Sequence, residues 1–238
     1  MALGLKPFWR YYGGKWRAAP RYPAPRHNHI VEPFAGSAGY AMRYPDLSVT
    51  LVEKYAVVAE IWRYLIGSSC TDILSIPCVE NVDDLPGNTP EGAKHLVGFC
   101  LNSATTSPRR TLSTGAKRQR ASGRTLDGWS EARRARVASQ IDRIHHWTVI
   151  EGDYTAAPGI QATWFIDPPY NNTAGAYYKS AVDDYANLAT WCESRQGQVI
   201  VCENEGAAWL PFESIGTFKA GLNGRGSKEV MWVKDSSG

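Results

Sequence analysis

Short apolar runs, closed off by glycine, proline or charged residues, set the rhythm of this chain. His29-Ile30-Val31-Glu32 and Val49-Thr50-Leu51-Val52-Glu53 predict two buried strands. Between them lies the glycine-bearing loop Pro33–Gly39, with a short helix expected near Tyr40–Tyr44. Val57–Ile66 carries apolar residues at helical spacing. A strand, glycine loop, helix, strand order predicts a doubly wound, mostly parallel sheet, an α/β fold. That rhythm breaks after Gly67. Cys70–Leu85 fits neither period, Pro90–Asn102 predicts a helix, and Ser103–Gly128 predicts a polar, basic loop. Trp129–Trp147 predicts one helix, with Val137, Ile141 and Ile144 packed on its inner face. Strands resume at Thr148–Ile150, Ala162–Ile166 and Gln198–Val201, and Glu229–Val233 is expected as an antiparallel edge. The expected organisation is one sheet domain from residues 1–67 and 148–238, interrupted by a mainly helical insertion over 68–147.

Composition narrows the class. At 238 residues, 43% hydrophobic and 11% aromatic, the chain can bury a sizeable core and is not largely disordered. Net charge is only +3, but its distribution is uneven: residues 105–146 carry seven net positive charges and the remainder four net negative. Such a basic segment suits phosphates. Five cysteines without paired spacing predict reduced thiols, and no apolar run has the length of a signal core or a membrane span. A cytoplasmic protein is expected, monomeric or weakly dimeric. The five histidines show no metal-ligand spacing, so no metal is expected.

Candidate chemistry begins at Asp167-Pro168-Pro169-Tyr170. Two prolines cannot continue the strand before them, so Asp167 falls on the rim of the sheet, outside a carboxyl end where α/β folds place their ligands. An acid, a proline carbonyl and a ring suit a flat base with an exocyclic amino group. Four such residues can equally end a strand and do nothing more. Glu32–Gly39 offers helix-terminal N–H groups to an anion but lacks the full dinucleotide fingerprint, and Glu53 stands where acids bond ribose hydroxyls. Pro77-Cys78 and Glu80-Asn81-Val82 carry the residue types of a cytosine-C5 methyltransferase site, but a single residue separates them. That spacing is coincidental.

Six ordered motifs together resemble the Dam-type class of DNA adenine-N6 methyltransferases: Tyr12-Gly13-Gly14-Lys15, Glu32-Pro33-Phe34-Ala35-Gly36-Ser37, Glu53-Lys54, Glu151-Gly152-Asp153-Tyr154, Asp167-Pro168-Pro169-Tyr170 and Ser227-Lys228-Glu229-Val230. The resemblance covers both ends of the chain and is weak over the insertion. It implies a Rossmann-like methyltransferase sheet, S-adenosyl-L-methionine as cofactor and double-stranded DNA as partner. It places Tyr11, Tyr12, Gly13, Gly14, Lys15 and Glu32, Pro33, Phe34, Ala35, Gly36, Ser37 around the methionine end of the cofactor. Glu53, with Lys54, would take the ribose, and Asp153 with Tyr154 the cofactor adenine. Asp167, which borders the cofactor too, and the Pro168 carbonyl would accept from the target amino group. Pro169 stiffens the turn and Tyr170 would stack on the extruded base.

Asn171–Tyr178 is expected as a flap over that base, with Gly175 as its pivot. Arg109, Arg110, Lys117, Arg118, Arg120 and Arg124, together with Asn171 and Asn172, are the expected nucleic-acid contacts, and Asn102 is a possible base reader. A methyltransferase acting on guanine N2 of ribosomal RNA is the second reading. An inactive DNA-binding module is the third, although the acid, both prolines and the tyrosine are all present. Ala38 stands where a second glycine is common in this class, which makes the cofactor loop bulkier.

Overall fold

The computed structural model describes residues 4–102, 104–122, 128–172, 175–179, 181–219 and 226–235. Arg124 lies outside the described residues, and the side chain of Arg120 is not described either. Seven strands form one mixed sheet: β1 (His29–Glu32), β2 (Ser48–Glu53), β3 (Thr148–Glu151), β4 (Ala162–Ile166), β5 (Gly197–Asn204), β6 (Glu213–Lys219) and β7 (Gly226–Asp235). Their spatial order is β3-β2-β1-β4-β5-β7-β6, with β7 antiparallel to both its neighbours and the first five strands parallel. This is the mostly parallel, Rossmann-like α/β sheet expected above.

Burial on both faces explains why the strands read as unbroken apolar runs. Ile30, Leu51, Phe165 and Ile200 point into one core, while Val31, Val52, Trp164 and Val201, their neighbours in sequence, point into the other. The first face is the thicker. It packs beneath α1 (Ala56–Gly67), α3 (Glu91–Cys100) and α5 (Glu131–Ala138), and α2 (Cys70–Ser75) joins the same core through Ile73. Trp9 and Trp62, with ring centroids 5.1 Å apart, sit among Phe99, Val137 and Trp147. Residues 68–147 therefore share a core with the sheet. The second face is covered by α6 (Tyr185–Glu193) through Leu188 and Cys192.

Several elements differ from expectation. The helix near Tyr40–Tyr44 is a single 3-10 turn, Ala41–Arg43. Ala38 enters it with φ +50°, Tyr40 is fixed on Phe165 (ring centroids 4.3 Å) and through its hydroxyl to the Pro23 carbonyl, and Pro45 prevents continuation. The expected helix Trp129–Trp147 breaks after α5, because Gln140 turns its amide to the Lys6 backbone, accepting at 2.7 Å and donating at 3.3 Å. Within the expected loop 103–128, α4 (Thr114–Ala121) forms; the Ser113 hydroxyl accepts from the Ala116 N–H, and Ala116 is buried. The last strand is not an edge: β7 is paired on both sides, and β6 lies outside it. Among the described residues no helix is long and apolar enough to cross a membrane.

One close approach sets the distance between α1 and α3. A Cβ on Gly92 would stand 2.6 Å from both the Glu60 carbonyl oxygen and Tyr64 Cβ. Gly92→Ala is expected to force the two helices apart and cost about 1–3 kcal/mol, read as a lower thermal midpoint.

Candidate active site

Four neighbouring parallel strands each end on an acid: Glu32 closes β1, Glu53 closes β2, Asp153 follows β3 and Asp167 follows β4. Strand ends in register bring these carboxylates to one rim, where they line a cavity of about 240 Å³ together with Tyr11–Lys15 and Pro33–Ser37. Its lining carries six acids (Asp183 and Asp184 complete the set), of which Glu32 is held protonated by burial, against Lys15, Lys54 and Lys179. The site thus favours a ligand with net positive charge.

The glycine loop is fixed by the second strand. Ala35 N–H donates to the Val52 carbonyl, and Gly36 N–H donates to Glu53 Oε2 at 2.9 Å. The indole N–H of Trp62 donates to the Gly36 carbonyl. Gly36 has φ +46°, and a Cβ there would stand 3.1 Å from the Tyr11 ring, so glycine serves both the turn and the approach. Glu53 Oε1 takes the Tyr55 N–H. Each of its oxygens keeps a lone pair, the acceptor set a vicinal diol requires. Burial raises its carboxyl above the usual range, and those N–H donors oppose the rise. At the far end Phe34 stacks on Tyr154 (5.6 Å, 28°), an apolar wall suited to a purine. Asp153 Oδ1 accepts from the N–H and hydroxyl of Thr155, which lower its carboxyl.

At the head of the cavity Lys15 Nζ lies 2.8 Å from Asp167 Oδ1, with both side chains largely withdrawn from water. Lys15 also donates to the Gly13 carbonyl and stands 4.7 Å from the centre of the Tyr170 ring. Burial favours the neutral amine, yet Asp167 and Glu229 hold Lys15 firmly protonated. Burial pushes Asp167 up to about 6; Lys15 opposes the shift, and the carboxylates of Glu229 and Glu203 add to it. Those two acids brace the turn that follows. Glu229 on β7 accepts the Tyr170 hydroxyl, and Glu203 on β5 accepts the Asn171 N–H at 2.8 Å and the Trp209 indole N–H at 3.3 Å. The Tyr185 hydroxyl holds the Pro169 carbonyl at 2.5 Å.

The structure thus brings all the expected cofactor residues, Asp167 among them, and Pro169 to one cavity; Pro168 and Tyr170 are not part of its lining. Gly175 is no open pivot: a Cβ there would stand 1.9 Å from the Tyr170 carbonyl oxygen, so it is packed against the turn that follows β4. The Asn172 side chain accepts the Gly175 N–H, and Asn171 is exposed. Tyr178, the last residue of the expected flap, lines the cavity and donates to the Tyr12 carbonyl at 3.1 Å. Glu203 carried no sequence signal, since the strand expected there stopped at Val201 whereas β5 runs on to Asn204. Glu229 stood in a quoted motif without a role.

The basic segment is less free than its charge count suggests. Arg133 is buried, while Arg134 and Arg136 donate to the Ile76 and Pro7 carbonyls. Arg110 forks onto Asp83 and Arg143 pairs with Asp46. Asn102 spends its amide N–H on the Thr111 carbonyl. Arg109, Lys117 and Arg118 are exposed.

The chain matches no family model and no curated protein. Among solved structures it is similar to the "Putative methyltransferase yhhF from Escherichia coli" at 10% identity and a TM-score of 0.34, covering 88% of this chain and 76% of that one. It is also similar to a conserved hypothetical protein of Streptococcus pyogenes at 13% identity and a TM-score of 0.34, covering 91% and 89%.

Glu32 provides a test of this electrostatic arrangement. It is buried against the Ala41 N–H (2.6 Å), and burial raises its carboxyl from 4.5 to about 8. The folded chain therefore keeps a proton that the unfolded chain releases near 4.5. The stability this proton supplies is full at lower pH and drains away up to about 8. Glu32→Gln lacks that dependence. Its thermal midpoint is expected to gain on the wild type from pH 4.5 towards 8 and then to hold a constant lead.

Proposed function

We propose that this chain is an S-adenosylmethionine-dependent methyltransferase acting on the exocyclic N6 of an adenine extruded from double-stranded DNA. The observation that carries the reading is the buried Lys15–Asp167 pair at the head of a cavity walled by the acid-bearing ends of β1, β2 and β3. The donor set fits the cofactor: Glu53 for the ribose diol, the Phe34–Tyr154 wall and Asp153 for the purine, and an acidic lining for a net cation. When bound, S-adenosylmethionine supplies a methyl group on a sulfonium, open to in-line attack by nitrogen.

The chain's own residues make that attack feasible. An adenine N6 lone pair is delocalised into the ring and is a poor nucleophile. Asp167 accepts from the amino group and favours the positive charge that grows on nitrogen as the new bond forms. With its carboxyl near 6, Asp167 is ionised at neutral pH yet basic enough to receive the proton that nitrogen sheds. Lys15 keeps the carboxylate aimed, and the Pro168 carbonyl offers the second acceptor. Glu229 and Glu203 fix the turn that carries Tyr170, whose ring faces the base. Exposed Arg109, Lys117 and Arg118 would meet phosphates.

Incubation with methyl-labelled cofactor and mixed-sequence duplex DNA, followed by digestion to nucleosides, is expected to yield N6-methyladenine. Absence of label in DNA, or label on guanine N2 of RNA, overturns the reading. Asp167→Asn keeps the shape of the side chain and removes its charge, so turnover should fall about 100- to 1000-fold while calorimetric cofactor binding persists. Turnover of the wild type should rise with pH through about 6 as Asp167 ionises. Glu229→Gln removes a neighbouring like charge and is expected to move that limb to lower pH.

A further inference from the structure

Tyr177 is one of only two large apolar side chains left exposed among the described residues, with 69% of its surface in water. A lone exposed tyrosine is ordinary; this one is built into place. Its ring meets Tyr12 edge-on at 6.2 Å, and Tyr12 itself lines the cavity. The next residue, Tyr178, packs on Tyr12 at 5.6 Å and donates to the Tyr12 carbonyl, while Gly175 is pressed against the backbone of Tyr170. Tyr12 N–H in turn donates to the carbonyl of Thr105, where the basic segment begins. The exposed ring therefore stands between the catalytic turn and the basic segment, outside the cavity and joined to its rim.

We propose that Tyr177, backed by Tyr12, is a stacking face for a nucleobase that has left the DNA duplex. Held by its neighbours, the ring loses little freedom on binding, and any base offers it a flat partner. The Tyr177 face lies outside the pocket assigned to the target adenine, and the inference rests on the reading of the chain as a DNA methyltransferase.

The test uses the full chain and fluorescence anisotropy on a short mixed-sequence DNA duplex carrying one unpaired adenine, beside the same duplex fully paired and the matching RNA. The wild type is expected to prefer the unpaired-adenine DNA, whose base is cheaper to extrude. Tyr177→Ala should weaken that binding on the order of ten-fold, with Tyr177→Phe near the wild type. The slope of affinity against salt should not change, because no phosphate contact is removed. Equal binding by wild type and Tyr177→Ala, or a Phe variant as weak as Ala, overturns the stacking face and leaves the adenine assay standing. A wild type that binds no DNA, or that prefers the RNA, overturns both.

Discussion

One buried ion pair organises the functional end of this fold. An ammonium and a carboxylate taken out of water must find each other and further hydrogen bonds, or the cost of burying them is not recovered. Lys15 and Asp167 meet that condition at 2.8 Å, but the balance is uneven, since Glu203 and Glu229 also face the pair. Each extra carboxylate is held by donors from the turn after β4, so the repulsion that raises Asp167 is also what fastens Tyr170 and Asn171 in place.

That pair also explains the N-terminal segment. Residues before β1 have no place in the sheet, yet Leu5, Phe8 and Trp9 are buried. Gly39 lets the backbone of Lys15 and Trp16 approach closely; a Cβ there would stand 2.6 Å from the Trp16 nitrogen. Arg43 then covers the Trp16 ring at 3.7 Å and donates to its carbonyl. The segment is anchored at both ends of the short stretch that delivers Lys15.

What could be read from sequence follows from how each element is stabilised. Strands β1, β2, β4 and β5 are buried on both faces, so their apolar runs were plain, and the acids that close β1 and β2 and follow β4 came with them. Elements that owe their existence to distant contacts were not legible. Helix α4 has a polar sequence and is held through Ala116; α6 buries little beyond Leu188 and Cys192; β6 is interrupted by a register shift near Gly216. Charge was the least transparent. The arginines of α5 swell the positive count of residues 105–146, but Arg133 is buried while Arg134 and Arg136 reach backbone carbonyls at Ile76 and Pro7. Counting charges cannot distinguish a ligand-facing guanidinium from one that ties down a loop.

The route of the chain has a consequence for how the protein comes into being. Lys15 enters the site before the first strand, Asp167 after the fourth, and Glu229 from the seventh, which inserts between β5 and β6. No contiguous stretch contains this buried cluster. A chain emerging from the ribosome can therefore lay down most of its parallel sheet and still lack a braced Tyr170 until β7 has been made. The turn after β4 is braced only by a strand that the chain makes more than fifty residues later.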